Sequence, residues 1–193
     1  SSLPLVGKTV IELGCGHGVA GIAAAFRGAG AVIFADYNPE VLQTLTAPNV
    51  LANTPDIIAK TTAAAPTSPS FRYLGGDWGN LHDFLEPGCA DLVLAAETIY
   101  SPPSYQKHVA ILRHCMKPNV GVALIAAKSY YFGVGGGTKL FADAVRADGT
   151  FEVDTLMTYK DGVSNVRELL RVRFKNGSGQ RKRKTNDAAE ARS

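Results

Sequence analysis

The stretch "ELGCGHGVAG", residues 12–21, places glycines where a backbone can come close to a ligand. Gly14, Gly16 and Gly18 carry no Cβ, so the chain can adopt positive φ angles and approach a bound molecule closely. Gly16, Gly18 and Gly21 also match the dinucleotide fingerprint G-x-G-x-x-G. The glycines alone therefore predict an adenosine-containing cofactor, and they do not decide between NAD and another one.

Charged and aromatic residues around this turn favour one cofactor class. Glu12 lies at the end of the preceding strand, where its carboxylate would repel a pyrophosphate but not a cationic amino group. S-adenosylmethionine carries an α-ammonium and a sulfonium and has no phosphate. Asp36 offers a carboxylate to ribose hydroxyls, which either cofactor presents. Asp77 offers a carboxylate to the adenine amino group, and Trp78 offers an indole face to the ring.

Some of these residues also fit purely structural roles. The Asp36 carboxylate is suited to stabilising the N-terminus of the following helix, and Trp78 also fits a half-buried aromatic at a helix start. Together the features favour S-adenosylmethionine over NAD. The residues predicted to hold it are Glu12, Gly14, Gly16, Gly18, Asp36, Asn38, Asp77, Trp78 and Ala96.

A second glycine cluster, "SYYFGVGGGTKLF" at residues 129–141, invites comparison with a phosphate-binding loop. A P-loop has two glycines separated by four residues and followed by Lys and then Ser or Thr. The fifth residue after Gly133 is Thr138, and Leu140 follows Lys139 where a hydroxyl should hold magnesium. The sequence argues against a nucleotide-triphosphate site here, so the loop needs another role.

Apolar runs and helical patterns predict the order of the elements. Buried strands are indicated at 8–13, 31–36, 71–77, 91–97 and 120–128. Helical patterns lie between most of them, which predicts an α/β fold with a mostly parallel, doubly wound sheet. Two further strands, 151–159 and 166–174, are expected to form a C-terminal antiparallel hairpin. Asn38 and Pro39 are expected to begin the helix after the second strand, and Pro48 to kink or interrupt it.

Composition and charge exclude several functional classes. The chain is 46% hydrophobic and 19% charged, as globular domains are, and no apolar run reaches the roughly 18 residues of a membrane helix. Residues 175–193 carry six basic and two acidic side chains, so the other 174 residues have a net charge of −1 and no excess to bind a nucleic-acid backbone. Three cysteines without C-x-x-C spacing, and histidines without ligand spacing, argue against disulfides and a metal site and fit a reducing compartment.

Five motifs occur in one order along the chain: "IELGCGHG", "ADYNPEVLQTLTAPNVLAN", "GDW", "AAETIYSP" and "AKSYYFGVGGG". Over about residues 5–175 they resemble the eukaryotic protein-histidine N-methyltransferases that modify a large-subunit ribosomal protein. That family belongs to the Rossmann-like, seven-strand class I methyltransferases, close to protein-lysine methyltransferases. The resemblance implies S-adenosylmethionine as the cofactor. It also implies a protein substrate, for which a large-subunit ribosomal protein is the expected candidate, and a cytoplasmic or nuclear location.

The resemblance also suggests how an acceptor histidine would be held. A neutral histidine is already nucleophilic at neutral pH, so the site must mainly align it and select its tautomer. Glu97, at the end of the fourth strand, is the candidate acceptor of the ring N–H, although orienting the cofactor's methionine part or a neighbouring loop fits it equally. Tyr100 and Tyr131 are candidates to pack against the ring, or core residues. The loop residues predicted to form the substrate side are Phe132, Gly133, Gly135, Gly136 and Gly137, with a helix lead-in as the alternative.

Three other functions fit parts of the sequence. A protein-lysine methyltransferase would use the same scaffold, but "YFGVGGG" argues against it. An NAD-binding oxidoreductase would use the glycine fingerprint, against which Glu12, Asp77 and the terminal hairpin weigh. A non-catalytic binding module on the same fold is the remaining alternative.

The two ends of the chain carry expectations of their own. The resembled family has a Lys-x-Trp-Glu type segment before the first strand that closes over the cofactor. Only "SSLPLVG" stands there in this sequence, so we expect the domain, residues 1–175, to bind the cofactor weakly. Residues 176–193 lack apolar side chains and are predicted to be a disordered basic tail, whose "RKRK" fits a nuclear signal or a solvated charge run.

Overall fold

The computed structural model describes residues 5–60, 68–160, 162 and 166–175, and a seven-stranded sheet lies at its centre. The predicted basic tail lies outside the described residues. The strands are β1 (Thr9–Leu13), β2 (Ala31–Asp36), β3 (Ser70–Gly75), β4 (Leu92–Ala96), β5 (Val122–Lys128), β6 (Phe151–Tyr159) and β7 (Arg167–Phe174). All seven predicted strands are confirmed, with ends that differ by one or two residues.

The strand order is β3-β2-β1-β4-β5-β7-β6. The first five strands of this order run parallel, whereas β7 lies antiparallel between β5 and β6. The structure therefore confirms the parallel, doubly wound sheet and the C-terminal hairpin. Because parallel strands end at one edge of a sheet, the segments that follow β1 to β5 meet there, which is where such folds bind ligands.

Helices cover both faces of the sheet and form a separate core on each. They are α1 (Val19–Phe26), α2 (Pro39–Val41), α3 (Ala47–Lys60), α4 (Tyr105–Cys115) and α5 (Thr138–Asp148). Alternate strand residues point to opposite faces: Val10 packs in the core of α1 and α3, and Ile11 in the core of α4 and α5. Within the described ranges, no helix is long and apolar enough to cross a membrane.

The helical path after β2 differs from the expectation at Pro48. The chain does not break there, because α2, a π-helical segment Leu42–Thr46 and α3 follow one another directly. Proline lacks an N–H and its ring clashes with the carbonyl four residues earlier, which would be Thr44. Thr44 lies inside the π-helical segment, so the irregular turn that Pro48 requires is placed just before it. A local change of helix type therefore replaces the expected interruption, and the kink that was its alternative stays a prediction.

The glycine loop after β5 docks onto the segment after β4. The Gly136 N–H donates to the Tyr100 carbonyl at 3.1 Å, and the Gly137 N–H donates to the Tyr105 hydroxyl at 2.9 Å. A Cβ on Gly136 would lie 2.2 Å from the Tyr100 carbonyl oxygen, and one on Gly137 would lie 2.2 Å from the Ser129 carbonyl oxygen. Both glycines are buried. They let two backbones meet and do not face solvent.

Substitution of Gly136 should separate these two loops. We expect Gly136→Ala to lower the free energy of unfolding by about 2 kcal/mol, as overpacking does elsewhere. The control is Gly133→Asn, because Gly133 has a φ of +81° with no neighbour within 4 Å among the described residues, and asparagine tolerates that backbone conformation. Urea unfolding of both variants checks this. Equal stability of Gly136→Ala and the wild type would contradict the docked-loop geometry.

Candidate active site

The predicted cofactor residues meet at the carboxyl edge of the sheet. Gly14 follows β1, Asp36 ends β2, Asp77 follows β3 and Ala96 ends β4. The order β3-β2-β1-β4 in the sheet brings these four ends side by side. The topology therefore assembles residues that lie as far as 82 positions apart in the sequence, from Gly14 to Ala96.

Asp36 joins the glycine turn to the second strand. Its Oδ2 accepts the Gly16 N–H at 3.0 Å, and its Oδ1 accepts the Asn38 N–H at 3.1 Å. Gly16 has a φ of +50°, a conformation that glycine adopts without strain. Asp36 stays partly exposed and the Asn38 side chain is exposed. A carboxylate can accept more than one bond at each oxygen, so ribose binding by Asp36 stays a prediction beside its structural role.

Glu12 lies beneath the glycine turn and is almost completely buried. It is 5% exposed, and its Oε2 accepts the Gly21 N–H of α1 at 2.8 Å. Burial raises the pKa of the Glu12 carboxyl from 4.5 to about 7, against the lowering effect of the backbone hydrogen bonds. One oxygen is thus committed to α1, and an interaction of the other with a cofactor ammonium stays a prediction.

An open pocket of about 280 Å³ lies between the segments after β3 and β4. It is lined by Tyr37, Asp77, Trp78, Thr98, Tyr100, Ser101, Ser104 and Lys107. Gly14 borders it, because a Cβ at that position would lie 2.6 Å from Thr98 Cγ2 and 3.5 Å from the Trp78 ring. The indole Nε1 of Trp78 and the Thr98 hydroxyl are buried without a hydrogen-bond partner among the described residues. Buried polar atoms without a partner are rare and call for an explanation, and both belong to residues that line this pocket.

Asp77 is already engaged on one side of this pocket. Its Oδ1 accepts the Gly79 N–H at 2.8 Å and caps the 3₁₀ helix Trp78–Asp83, while its Oδ2 pairs with Lys107 Nζ at 2.5 Å. The hydrogen bond from Lys107 is the main cause that lowers the pKa of Asp77. A contact between Asp77 and an adenine amino group therefore requires the carboxylate to share Lys107. Sequence reasoning missed Lys107, which lies in the first turn of α4.

His108 supports the pocket from behind Trp78. The two rings meet edge to face with centroids 4.4 Å apart, and His108 Nδ1 lies 3.0 Å from the Ser104 carbonyl. Burial lowers the pKa of His108 to about 4, so the ring is neutral at physiological pH. Among the described residues, no three His, Cys, Asp or Glu side chains come together as a metal site would need.

The acceptor side of the site is organised around Glu97. Its φ of +57° is a left-handed conformation that costs a non-glycine residue about 1 to 2 kcal/mol. The Tyr131 hydroxyl donates to Glu97 Oε2 at 2.8 Å, and Arg167 Nε lies 3.9 Å from Glu97 Oε1. The Glu97 side chain is still 48% exposed. Strained residues held by their surroundings are concentrated at functional sites.

The two candidate tyrosines differ in environment. Tyr131 is 9% exposed, its hydroxyl accepts the Lys128 N–H at 3.2 Å, and burial raises its pKa. Tyr100 is 50% exposed and lies edge to face with Tyr131 at 6.3 Å between ring centroids. Tyr131 is therefore placed to hold Glu97, whereas Tyr100 offers an open ring face beside the pocket. Sequence reasoning did not foresee the contact between Tyr131 and Glu97.

The exposed part of the glycine loop presents the apolar side chain of Phe132, which directly follows Tyr131 in the chain. Phe132 is 76% exposed, and its ring packs edge to face on Tyr130 at 5.0 Å between centroids. Gly133 and Gly135 both have a φ of +81° and leave open space around them. Contact with a substrate thus stays a prediction for Phe132, Gly133 and Gly135, while Gly136 and Gly137 form the buried base of the loop.

A family model described as lysine methyltransferase matches residues 3–132. The chain belongs to this methyltransferase family. The match confirms the resemblance at the level of the methyltransferase scaffold, and S-adenosylmethionine is the cofactor. Two parts of the structure fit this cofactor. One is the pocket lined by Trp78 and Thr98, named here the Trp78–Thr98 pocket, and the other is the glycine turn formed by residues 14–18.

The chain is also similar to proteins named as histidine methyltransferases. It is 36% identical over 170 residues to a "Histidine protein methyltransferase 1 homolog" of Dictyostelium discoideum, covering 88% of this chain and 51% of that protein. It is 34% identical over 192 residues to the protein of the same name in Rattus norvegicus, which covers 91% of this chain and 52% of that protein. The chain thus spans about half the length of the curated relatives it matches.

Solved structures confirm the fold of this methyltransferase. One is a putative S-adenosylmethionine dependent methyltransferase from Listeria monocytogenes, with a TM-score of 0.64 and 15% identity. The similarity covers 90% of this chain and 94% of that one. At that identity the likeness concerns the class I fold, which the sequence predicted.

The buried Glu12 carboxyl gives this methyltransferase a specific pH dependence. With its pKa raised from 4.5 to about 7, the folded protein holds a proton that the unfolded chain releases. The resulting stabilisation is complete below pH 4.5 and is lost as the pH rises through 7, about 3 kcal/mol in all. Glu12→Gln should therefore gain stability relative to the wild type as the pH rises from 4.5 to 7.5. Urea unfolding across this range checks it, and a pH-independent difference would contradict the buried, protonated carboxyl.

Proposed function

We propose that this methyltransferase transfers a methyl group to a histidine side chain of a protein. The proposal rests on how far along the chain the similarity to the histidine methyltransferases extends. The lysine methyltransferase model ends at residue 132, whereas the relatives named for histidine align over 170 and 192 residues and so extend past it. Residues 133–137, which begin just beyond the family match, form the loop that docks beside Glu97.

The site residues can perform such a transfer without a strong base. S-adenosylmethionine supplies a methyl group on a sulfonium, whose sulfur keeps the bonding electron pair as S-adenosylhomocysteine forms. A neutral imidazole offers one unprotonated nitrogen as nucleophile and one N–H. Glu97 accepts that N–H, which fixes the tautomer, and its charge stabilises the imidazolium as it develops. Tyr131 and Arg167 hold the carboxylate in place, and Tyr100 packs against the ring.

The alternative is methylation of a lysine on the same scaffold, which the family description favours. A lysine amine is protonated at neutral pH and has to lose a proton before it attacks. The Glu97 carboxylate already accepts the Tyr131 hydroxyl and lies 3.9 Å from Arg167 Nε, and transfer to histidine asks it only to accept a hydrogen bond. The geometry around Glu97 therefore suits an imidazole better than an ammonium.

The finer features of the proposal concern the partner and its location. We infer that the acceptor lies in a large-subunit ribosomal protein and that the enzyme works in the cytoplasm or nucleus. The resemblance of the five sequence motifs to the ribosomal-protein-modifying group supports this partner. The three cysteines, Cys15, Cys89 and Cys115, are free in the structure, which is compatible with a reducing compartment.

Identification of the methylated residue tests the proposal. The chain is incubated with methyl-tritiated S-adenosylmethionine and large ribosomal subunits from cells that lack the endogenous enzyme, and the labelled protein is hydrolysed in acid. We expect the label in methylhistidine. Label in methyllysine would establish the alternative acceptor. Binding of S-adenosylhomocysteine without any labelled product, in an assay that a longer relative performs, would indicate a binding module.

Glu97 provides a sharper test of the mechanism. Glu97→Gln should lower turnover about 100-fold, because it removes the negative charge near the developing imidazolium, while the affinity for S-adenosylhomocysteine changes less than about twofold. The matched control is Glu152→Gln, another half-exposed glutamate paired with an arginine of β7, at 2.6 Å. A parallel loss of cofactor affinity in Glu97→Gln would move this residue to the methionine end of the cofactor.

A further inference from the structure

Thr46 is a fully buried hydroxyl residue that contacts the cofactor turn from outside it. It ends the π-helical segment and has 0% exposure. The Thr46 Oγ1 donates to the Gly16 carbonyl at 2.6 Å. Cys15 Sγ lies 3.6 Å from Thr46 Oγ1. Burial raises the pKa of the Cys15 thiol to about 12, so it stays protonated and can donate to Thr46. The hydroxyl thus connects two consecutive residues of the turn.

Asn49 makes a second contact with the same turn. Its Nδ2 donates to the His17 carbonyl at 3.0 Å, from a position one turn further along the helix. Together, Thr46 and Asn49 hold the carbonyls of Gly16 and His17. Since Asp36 holds the Gly16 N–H at 3.0 Å, the Gly16 residue is fixed at both its N–H and its carbonyl.

The π-helical segment explains how these side chains reach the turn. A π-helical turn contains more residues than an α-helical one and so rotates the residues that follow around the helix axis. Leu42–Thr46 is the π-helical stretch, and Thr46 and Asn49 are its last residue and the third after it. Such segments are often found at functional sites.

We propose that Thr46 and Asn49 are positioning residues for the cofactor, and that the π-helical segment presents them to the glycine turn. By holding two carbonyls they keep the glycine turn in the conformation that S-adenosylmethionine requires. Binding then does not have to include the loss of conformational entropy that ordering a mobile turn would cause. The inference rests on the proposed cofactor site and is independent of whether the acceptor is histidine or lysine.

Calorimetry with S-adenosylhomocysteine tests this on the full chain. Thr46→Val, which replaces the hydroxyl with a methyl group of similar size, should weaken binding about tenfold. Thr46→Ser, which keeps a hydroxyl, should bind with nearly the wild-type affinity. The control is Thr54→Val, because Thr54 makes a comparable hydrogen bond to the Val50 carbonyl of α3, at 2.8 Å. In steady-state assays Thr46→Val should raise the KM for S-adenosylmethionine and leave kcat at saturating cofactor unchanged.

A second pair of variants avoids the buried position. Asn49→Ala should weaken S-adenosylhomocysteine binding several-fold, whereas Asn53→Ala, which loses a bond to the Asn49 carbonyl at 2.8 Å, should not. Wild-type affinity in both Thr46→Val and Asn49→Ala would overturn the inference. No S-adenosylhomocysteine binding by the wild type would instead contradict the cofactor site itself, so the two failures are distinguishable.

Discussion

The hydrogen bond from the Gly16 N–H to the Asp36 carboxylate is the interaction on which the site depends. It joins the turn after β1 to the end of β2, and the Cys15 N–H reinforces it by donating to the Ala35 carbonyl at 3.1 Å. The glycine turn thereby takes its position from the sheet. The Trp78–Thr98 pocket lies beside this turn, because Thr98 and Trp78 are the neighbours that a side chain at Gly14 would meet.

A second constraint sets the acceptor side. The buried Gly136 and Gly137 allow the loop after β5 to touch the backbone after β4, and this contact places Tyr131 against Glu97. The strain in the Glu97 backbone is maintained by the sheet, since the Glu97 N–H donates to the Ala126 carbonyl at 2.8 Å before the chain turns. Cofactor and acceptor elements thus meet at the β4 end, each held by a neighbouring strand.

Much of the fold was predictable, whereas several of the contacts were not. The strands are apolar runs, and turn residues bound most of them, so their order and the ligand-binding edge follow from local patterns. The Tyr131–Glu97 bond joins residues 34 positions apart, and no local pattern encodes it. Glycines are ambiguous in sequence, and the packing of Gly136 against the Tyr100 backbone is not encoded by any local pattern. The π-helical segment also went unpredicted, because Pro48 indicates a disturbed helix without specifying how the chain accommodates it.

The central claim is that the first turn, with Asp36, binds an adenosine cofactor without phosphates. The most direct measurement is calorimetric titration of the chain with S-adenosylhomocysteine and, separately, with NADH. The account predicts binding of S-adenosylhomocysteine alone, weakened by about 2 to 3 kcal/mol in Asp36→Ala through loss of charge-assisted hydrogen bonds. Binding of NADH, or an unchanged affinity for S-adenosylhomocysteine in Asp36→Ala, would contradict it.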